Sequence, residues 1–276
     1  GIDYFESQFK SSTNLYFRIT LHNENLLQTE GAWYQFLDES VHTYEARENN
    51  RIDTIGITEY LQGKNKNCLL DKDWRAELSI NVNIDYGSTH CWFVVKQFYA
   101  NTYWTLINFW TTNQQIEDGV DMVCSYFKPH IKKVVNIYDD PGGHKKQTDQ
   151  TVDKDKVIAR FRKHGWAVVH KTPANMYIPH KIKFRIMQYV LDERPGKHNP
   201  KWPKARFNIG NAYQTFYSCS KARIKKSSTE EYSKDKGDEK NPNIEQWKTT
   251  HLSDAFDMDI CFDNLHLLGL DPKFSF

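Results

Sequence analysis

The sequence predicts an α/β fold in which one mixed five-stranded sheet, an antiparallel meander extended by parallel strands, is flanked by helices. Three runs rich in β-branched and aromatic residues follow one another through connections short enough only for hairpins. Two further runs are each preceded by a segment of helical period, the mark of parallel crossovers. At 276 residues, with 39% apolar, 14% aromatic and 26% charged side chains, the chain is long and apolar enough to bury a core.

Residues 1 to 77 read as a helical linker or appendage, and 78 to 276 as the main domain. Trp33, Phe36, Leu37 and Val41 fall at helical spacing within 29 to 49, a shorter helix is expected around Ile57 to Leu61, and Gly63 to Asn67 reads as a loop. From Leu78 the period changes. Ser79 to Asp85, Cys91 to Tyr99 and Tyr103 to Thr111 are the meander strands, separated by Tyr86-Gly87-Ser88 and by Ala100-Asn101-Thr102. Ile116, Val120, Val123, Cys124 and Phe127 form a helix that Pro129 ends, and Lys132 to Tyr138 is the fourth strand. Val152 to His164 is a helix, Trp166 to His170 the fifth strand, and His180 to Asp192 another helix. The proline-rich stretch 193 to 204 reads as a loop, and Asn211 to Ala222 as a helix. Ser227 to Asn243 is polar and reads as a surface loop or hairpin. A closing helix runs from an N-cap at Thr250 to Leu265.

Charge is distributed unevenly. Residues 1 to 80 carry 8 Lys/Arg against 13 Asp/Glu, whereas residues 144 to 206 carry 16 against 5, an excess that suits a polyanionic partner. The five cysteines are scattered, without a C-x-x-C pair, and are expected to be buried free thiols of a reducing cytoplasm. No apolar run is long enough to cross a bilayer, no signal-peptide pattern opens the chain, and no phosphate-loop motif predicts ATP hydrolysis. The start at Gly1-Ile2-Asp3, without Met, reads as an excised fragment.

The chemistry falls on carboxylates. Asp85 ends the first strand and Asp139 and Asp140 end the fourth. A meander followed by a parallel crossover sets those two strands side by side. Carboxylates that close repel unless a cation or a shared proton offsets them. His251, Asp254 and Asp257 recur at steps of three on the closing helix and share one face. On the competing reading these acids merely cap turns and a solvated helix face. Gathered over a basic surface, they suit two-metal phosphodiester hydrolysis with Mg²⁺ or Mn²⁺, which prefer oxygen ligands. Pro141-Gly142-Gly143-His144 lacks the spacing of a nucleotide loop, and His170, bounding an apolar strand, reads as structural.

At Val82-Asn83-Ile84-Asp85-Tyr86, Ile137-Tyr138-Asp139-Asp140-Pro141-Gly142 and Thr250-His251-Leu252-Ser253-Asp254-Ala255-Phe256-Asp257, the sequence resembles the C-terminal nuclease domain of tailed-phage large terminases, over about Ser79 to Asn264. The resemblance implies an RNase H-like fold and an endonuclease that cuts concatemeric double-stranded viral DNA during packaging. It implies catalytic roles for Asp85, Asp140, Asp254 and His251, with Asp85, Asp139, Asp140, Asp254 and Asp257 as the candidate metal ligands. The chain departs from the family in having two acids at 139 and 140, so Asp139 either points to the sheet's other face or shares the metal, since successive strand residues alternate sides. Lys145, Lys146, Lys181, Lys183, Arg185, Lys225 and Lys226 are the candidate DNA contacts. Further implied are a portal protein, a small terminase subunit and an upstream ATPase domain as partners, and the bacterial host cytoplasm as location. The alternatives are another RNase H-like nuclease, such as a junction resolvase or transposase core, and a non-catalytic DNA-binding packaging module.

Overall fold

The computed structural model describes residues 31–45, 67–87, 90–112, 116–144, 152–173, 177–226, 232–241 and 243–270. The expected helix at Ile57 to Leu61 lies outside them. Among them α1 (Glu39–His42) and β1 (Thr43–Tyr44) come first, followed by the meander β2 (Ile80–Tyr86), β3 (His90–Tyr99) and β4 (Thr102–Thr112). Then come α2 (Ile116–Tyr126), β5 (Val134–Asp139), α3 (Asp153–Lys163), β6 (Ala167–His170) and α4 (His180–Leu191). The chain continues through β7 (Lys204–Asn208), α5 (Ile209–Lys221), a hairpin of β8 (Ile224–Lys226) and β9 (Tyr232–Lys234), and α6 (His251–Asn264).

All five expected strands lie in one mixed sheet of order β1-β7-β4-β3-β2-β5-β6. β2 pairs with β3 antiparallel and with β5 parallel, so the first and fourth predicted strands are indeed neighbours. Among the described residues the sheet has seven strands rather than the five expected. β7 begins at Lys204, where the expected loop ends, and pairs parallel with β4 at Thr102–Thr105, and β1 adds to its far side. The segment 31–45 corrects a second expectation. Its only helix spans four residues, while Trp33, Tyr34 and Leu37 are buried in the same apolar cluster as α4, α5 and α6.

Alternation along β2 divides the sheet's two faces. Ile80, Val82 and Ile84 join Phe93, Val95 and Ile137 under α2 and α3, whose Val120, Val123, Val157 and Phe161 complete one core. Gly119 of α2 sits so close to the Phe93 ring that a Cβ there would meet it at 2.0 Å, which fixes the helix against the sheet. Asn81, Asn83 and Asp85 point to the opposite face, toward α6. On that face α4, α5 and α6 bury Met187, Phe216 and Phe256 against Tyr103 and Phe207. The β3–β4 turn places Ala100 and Asn101 at φ 49° and 51°, the left-handed pair of a tight two-residue hairpin. All five cysteines are free and buried. No helix among the described residues is long and apolar enough to cross a membrane.

Candidate metal centre

Asp85 stands next to last in β2, directly opposite Trp92 in the register with β3. Its Oδ2 accepts a hydrogen bond of 2.8 Å from Nδ1 of His251, the first residue of α6. The His251 ring lies flat on Trp92, 5.5 Å between centroids and 9° between planes, and Trp92 also stacks with His90. Indole and carboxylate together hold the imidazole in one orientation. Burial and the charge of Asp254 raise the pKa of Asp85, although the His251 hydrogen bond and Lys236 oppose them. Burial alone would lower His251, but its bond to Asp85 prevails and the net shift is upward.

Asp254 follows one turn into α6, where the helix N-terminus favours negative charge. Its Oδ1 lies 2.9 Å from Nζ of Lys234 and its Oδ2 lies 2.6 Å from Nζ of Lys236. These ammonium groups outweigh burial and hold its carboxyl far below the usual range. Lys234 is buried and also reaches Asp257 at 2.7 Å, whose other oxygen lies 2.7 Å from the Tyr34 hydroxyl. Asp257 is therefore taken up by a buried ion pair behind Asp254. Lys234 closes β9, the second strand of the β8–β9 hairpin, and Lys236 follows it, and both side chains reach the acids of α6 from the stretch expected as a surface loop or hairpin.

The two acids at the end of β5 separate. The backbone N–H of Asp140 donates to Ile84 O at 3.1 Å, continuing the ladder by one residue and setting Asp140 beside Asp85. Asp139 is fully buried, and its carboxylate bonds to Tyr86, His144 and His170, on the face away from α6. Of the two placements open to Asp139, the two-residue period of the strand gives the sheet's other face, away from Asp85. The ligand atoms of Asp139, His144 and His170 all lie within 4.8 Å of one another. Those of Asp85, Asp140 and Asp254 form no such close trio.

The oxygen donors Asp85, Asp140 and Asp254 nonetheless fit a hard divalent cation. His251 at the start of α6 bonds to Asp85 and Asp254 follows one turn later, so the helix end brings both acids to the end of β2. The Lys236 side chain, 45% exposed, supplies the positive charge that faces Asp254 at this site.

Of the candidate DNA contacts, Lys181 and Arg185 are exposed on α4. Lys183 is half-buried, 5.7 Å above the Tyr177 ring, and its charge helps lower the pKa of Asp254. Lys225 is exposed on β8, Lys226 follows it there, and Lys145 and Lys146 lie outside the described residues. The basic stretch does not form one surface, because α3 packs on one face of the sheet and α4 on the other. Sequence reasoning missed Lys236 and the His251–Trp92 stack. No periodic signal reports a hairpin lysine folding back, whereas Trp92 stood in plain view on a predicted strand.

No family model matches the chain, and no curated protein does. Among solved structures, the large terminase of the thermophilic bacteriophage D6E is similar at 14% identity and a TM-score of 0.51, over 95% of this chain and 52% of that one. The large terminase nuclease from thermophilic phage G20c with bound cobalt aligns at 8% identity and a TM-score of 0.46, over 85% of this chain and 98% of that one. The nuclease domain of the large terminase from bacteriophage SPP1 with bound Mn aligns at 10% identity and a TM-score of 0.40, over 67% and 86%. The present chain spans about half the length of the D6E protein. Its mixed sheet with helices on both faces is an RNase H-like fold, shared with the large terminase of phage D6E.

Proposed function

We propose that this chain is a divalent-metal-dependent endonuclease that cuts double-stranded DNA during viral genome packaging. The observation that carries this reading is the bond from His251, the first residue of α6, to Asp85 at the end of β2, with Asp254 one turn further along α6 and Asp140 in the adjoining strand position. The shared fold with a large terminase supports it.

Asp85, Asp140 and Asp254 would hold Mg²⁺ or Mn²⁺. Two such ions would supply Lewis-acid activation of a water and stabilisation of the departing 3′-oxygen. Asp254, pinned at the first turn of α6, stays ionised and presents fixed negative charge. His251 orients the Asp85 carboxylate through Nδ1, and Trp92 keeps the ring from swinging away. The α4 cations Lys181, Lys183 and Arg185 would hold the phosphate backbone beside the acids, positioning DNA without reading its sequence. An upstream ATPase domain, a portal protein and a small terminase subunit are the partners this reading calls for, and the host cytoplasm is the compartment.

Asp254→Asn and Asp85→Asn are each expected to abolish Mn²⁺-dependent nicking of supercoiled plasmid while leaving the circular dichroism spectrum unchanged. Undiminished nicking by either folded variant would overturn the assignment. Strong preference for four-way junctions over plain duplex would favour a resolvase instead.

A further inference from the structure

On the reverse face of the sheet three side chains converge that the nuclease reading does not use. Asp139 closes β5, His144 ends the short 3₁₀ turn Pro141–His144, and His170 closes β6. Nε2 of His144 and Nε2 of His170 lie 3.0 and 2.8 Å from the same oxygen, Oδ1 of Asp139, and the two rings are 5.3 Å apart. We propose that Asp139, His144 and His170 form a second cation site, of two imidazoles and one carboxylate, that takes a borderline divalent metal such as Zn²⁺.

The site is built by the fold. β5 and β6 pair in parallel with Ile137 opposite His170, which brings the β6 end beside Asp139. The turn after β5 then doubles back. Gly143 makes this possible, since a Cβ there would stand 2.1 Å from the Tyr86 ring, and the close approach carries His144 over the carboxylate. Tyr86 donates to Oδ2 at 3.0 Å and so orients the carboxylate, while the Asp139 N–H donates to Thr172 Oγ1 at 2.8 Å and fixes the strand end that carries it. Asp139 is fully buried, and His144 and His170 are 7% and 19% exposed.

The spacing suits a metal. Nitrogen and oxygen ligands about 2.0–2.1 Å from a tetrahedral zinc stand roughly 3.3 Å from one another, so small ring rotations convert the present contacts into coordination. Two imidazoles select a softer ion than the all-oxygen set around Asp254 does. Among the described residues Nδ1 of His144 is buried without a partner, so the proton position on that ring is set by what occupies Nε2. A cation here would tie the ends of β5 and β6 together. Asp140, the next residue, would then be held on the opposite face by a metal staple behind it.

The test is X-ray absorption at the zinc edge of the metal-stripped, tag-free chain given one equivalent of Zn²⁺, repeated on Asp254→Asn. Scattering from two imidazoles is expected in both samples. A shell with one imidazole or none, or no stoichiometric binding, would overturn the proposal. His170→Gln should lose the two-imidazole shell; if it keeps it, the ligand set is wrong, and if it does not fold, the wild-type spectrum decides. The proposal stands apart from the nuclease reading, because Zn²⁺ binding that survives Asp254→Asn is independent of plasmid cutting.

Discussion

At the scale of single residues, the side of the sheet that carries the candidate centre is organised by buried polar groups. Lys96 and Asp259 are both fully buried, 2.6 Å apart, with Lys96 also donating to Phe256 O and Asn81 donating to Asp259. Removing one charge leaves the other desolvated and unpaired, which costs about 3–5 kcal/mol, whereas replacing both partners by neutral groups of similar size costs far less. Lys96→Met is therefore expected to lower unfolding free energy by that amount in urea titration, and Lys96→Met with Asp259→Asn to recover most of it. If the double variant is as unstable as the single one, the pair is not what holds α6 on β3. A lysine inside Cys91 to Tyr99 was readable as an anomaly in the sequence, because a central strand rarely buries a charge. Its partner was not readable, since Asp259 lies 163 residues away and only the fold brings them together. The same holds for Asp139, whose strand period left two faces open until the topology chose one.

Between elements, the contact between α4 and β7 shows why two strands escaped prediction. Glu193 follows α4 and is gripped by Arg206, by Lys204 at 3.0 Å and by His42 at 3.7 Å, from β7 and α1. β7 and β1 are short, and β7 buries only Ala205 and Phe207 in the core, so neither strand carries an apolar run long enough to announce itself. The meander strands and α2 to α6 carried their own period and were recognisable; Lys204 to Asn208 follows the proline-rich loop with charges at alternate positions and shows no such signal. Burial would raise the Glu193 carboxyl, but Arg206 and Lys204 prevail and bring it down to about 2. A carboxylate depressed in the folded state adds stability above its unfolded pKa, about 4.3, and loses it as pH falls toward 2. Glu193→Gln should thus cost about 2 kcal/mol at pH 7. The gap to wild type should narrow steadily below pH of about 4. Thermal melts across that range measure it, and a gap independent of pH would mean that packing, not charge, binds α4 to β7.

For the molecule as a whole, the sheet divides its basic residues between two sides, and only one side adjoins the candidate centre. α4 packs against α6 and β9, and His180 at its start feels the charges of Asp254, Lys234 and Lys236. α3 covers the other face, with Arg160 committed to Asp121 and Lys156 to Asp153, while Arg162 and Lys163 are exposed. A nonspecific DNA-binding face reveals itself through salt, because each phosphate contact contributes about 0.9 to the slope of log affinity against log salt. If DNA lies across α4, the triple variant Lys181→Ala, Lys183→Ala, Arg185→Ala should weaken duplex binding and flatten that slope by about 2–3. Arg162→Ala with Lys163→Ala, on the far face, should leave the slope nearly unchanged. Fluorescence anisotropy with a labelled duplex over a series of salt concentrations separates the two. Equal flattening by both variants would mean that DNA wraps both faces or binds by net charge alone. In either case α4 would lose its role in bringing the scissile phosphate to Asp85 and Asp254.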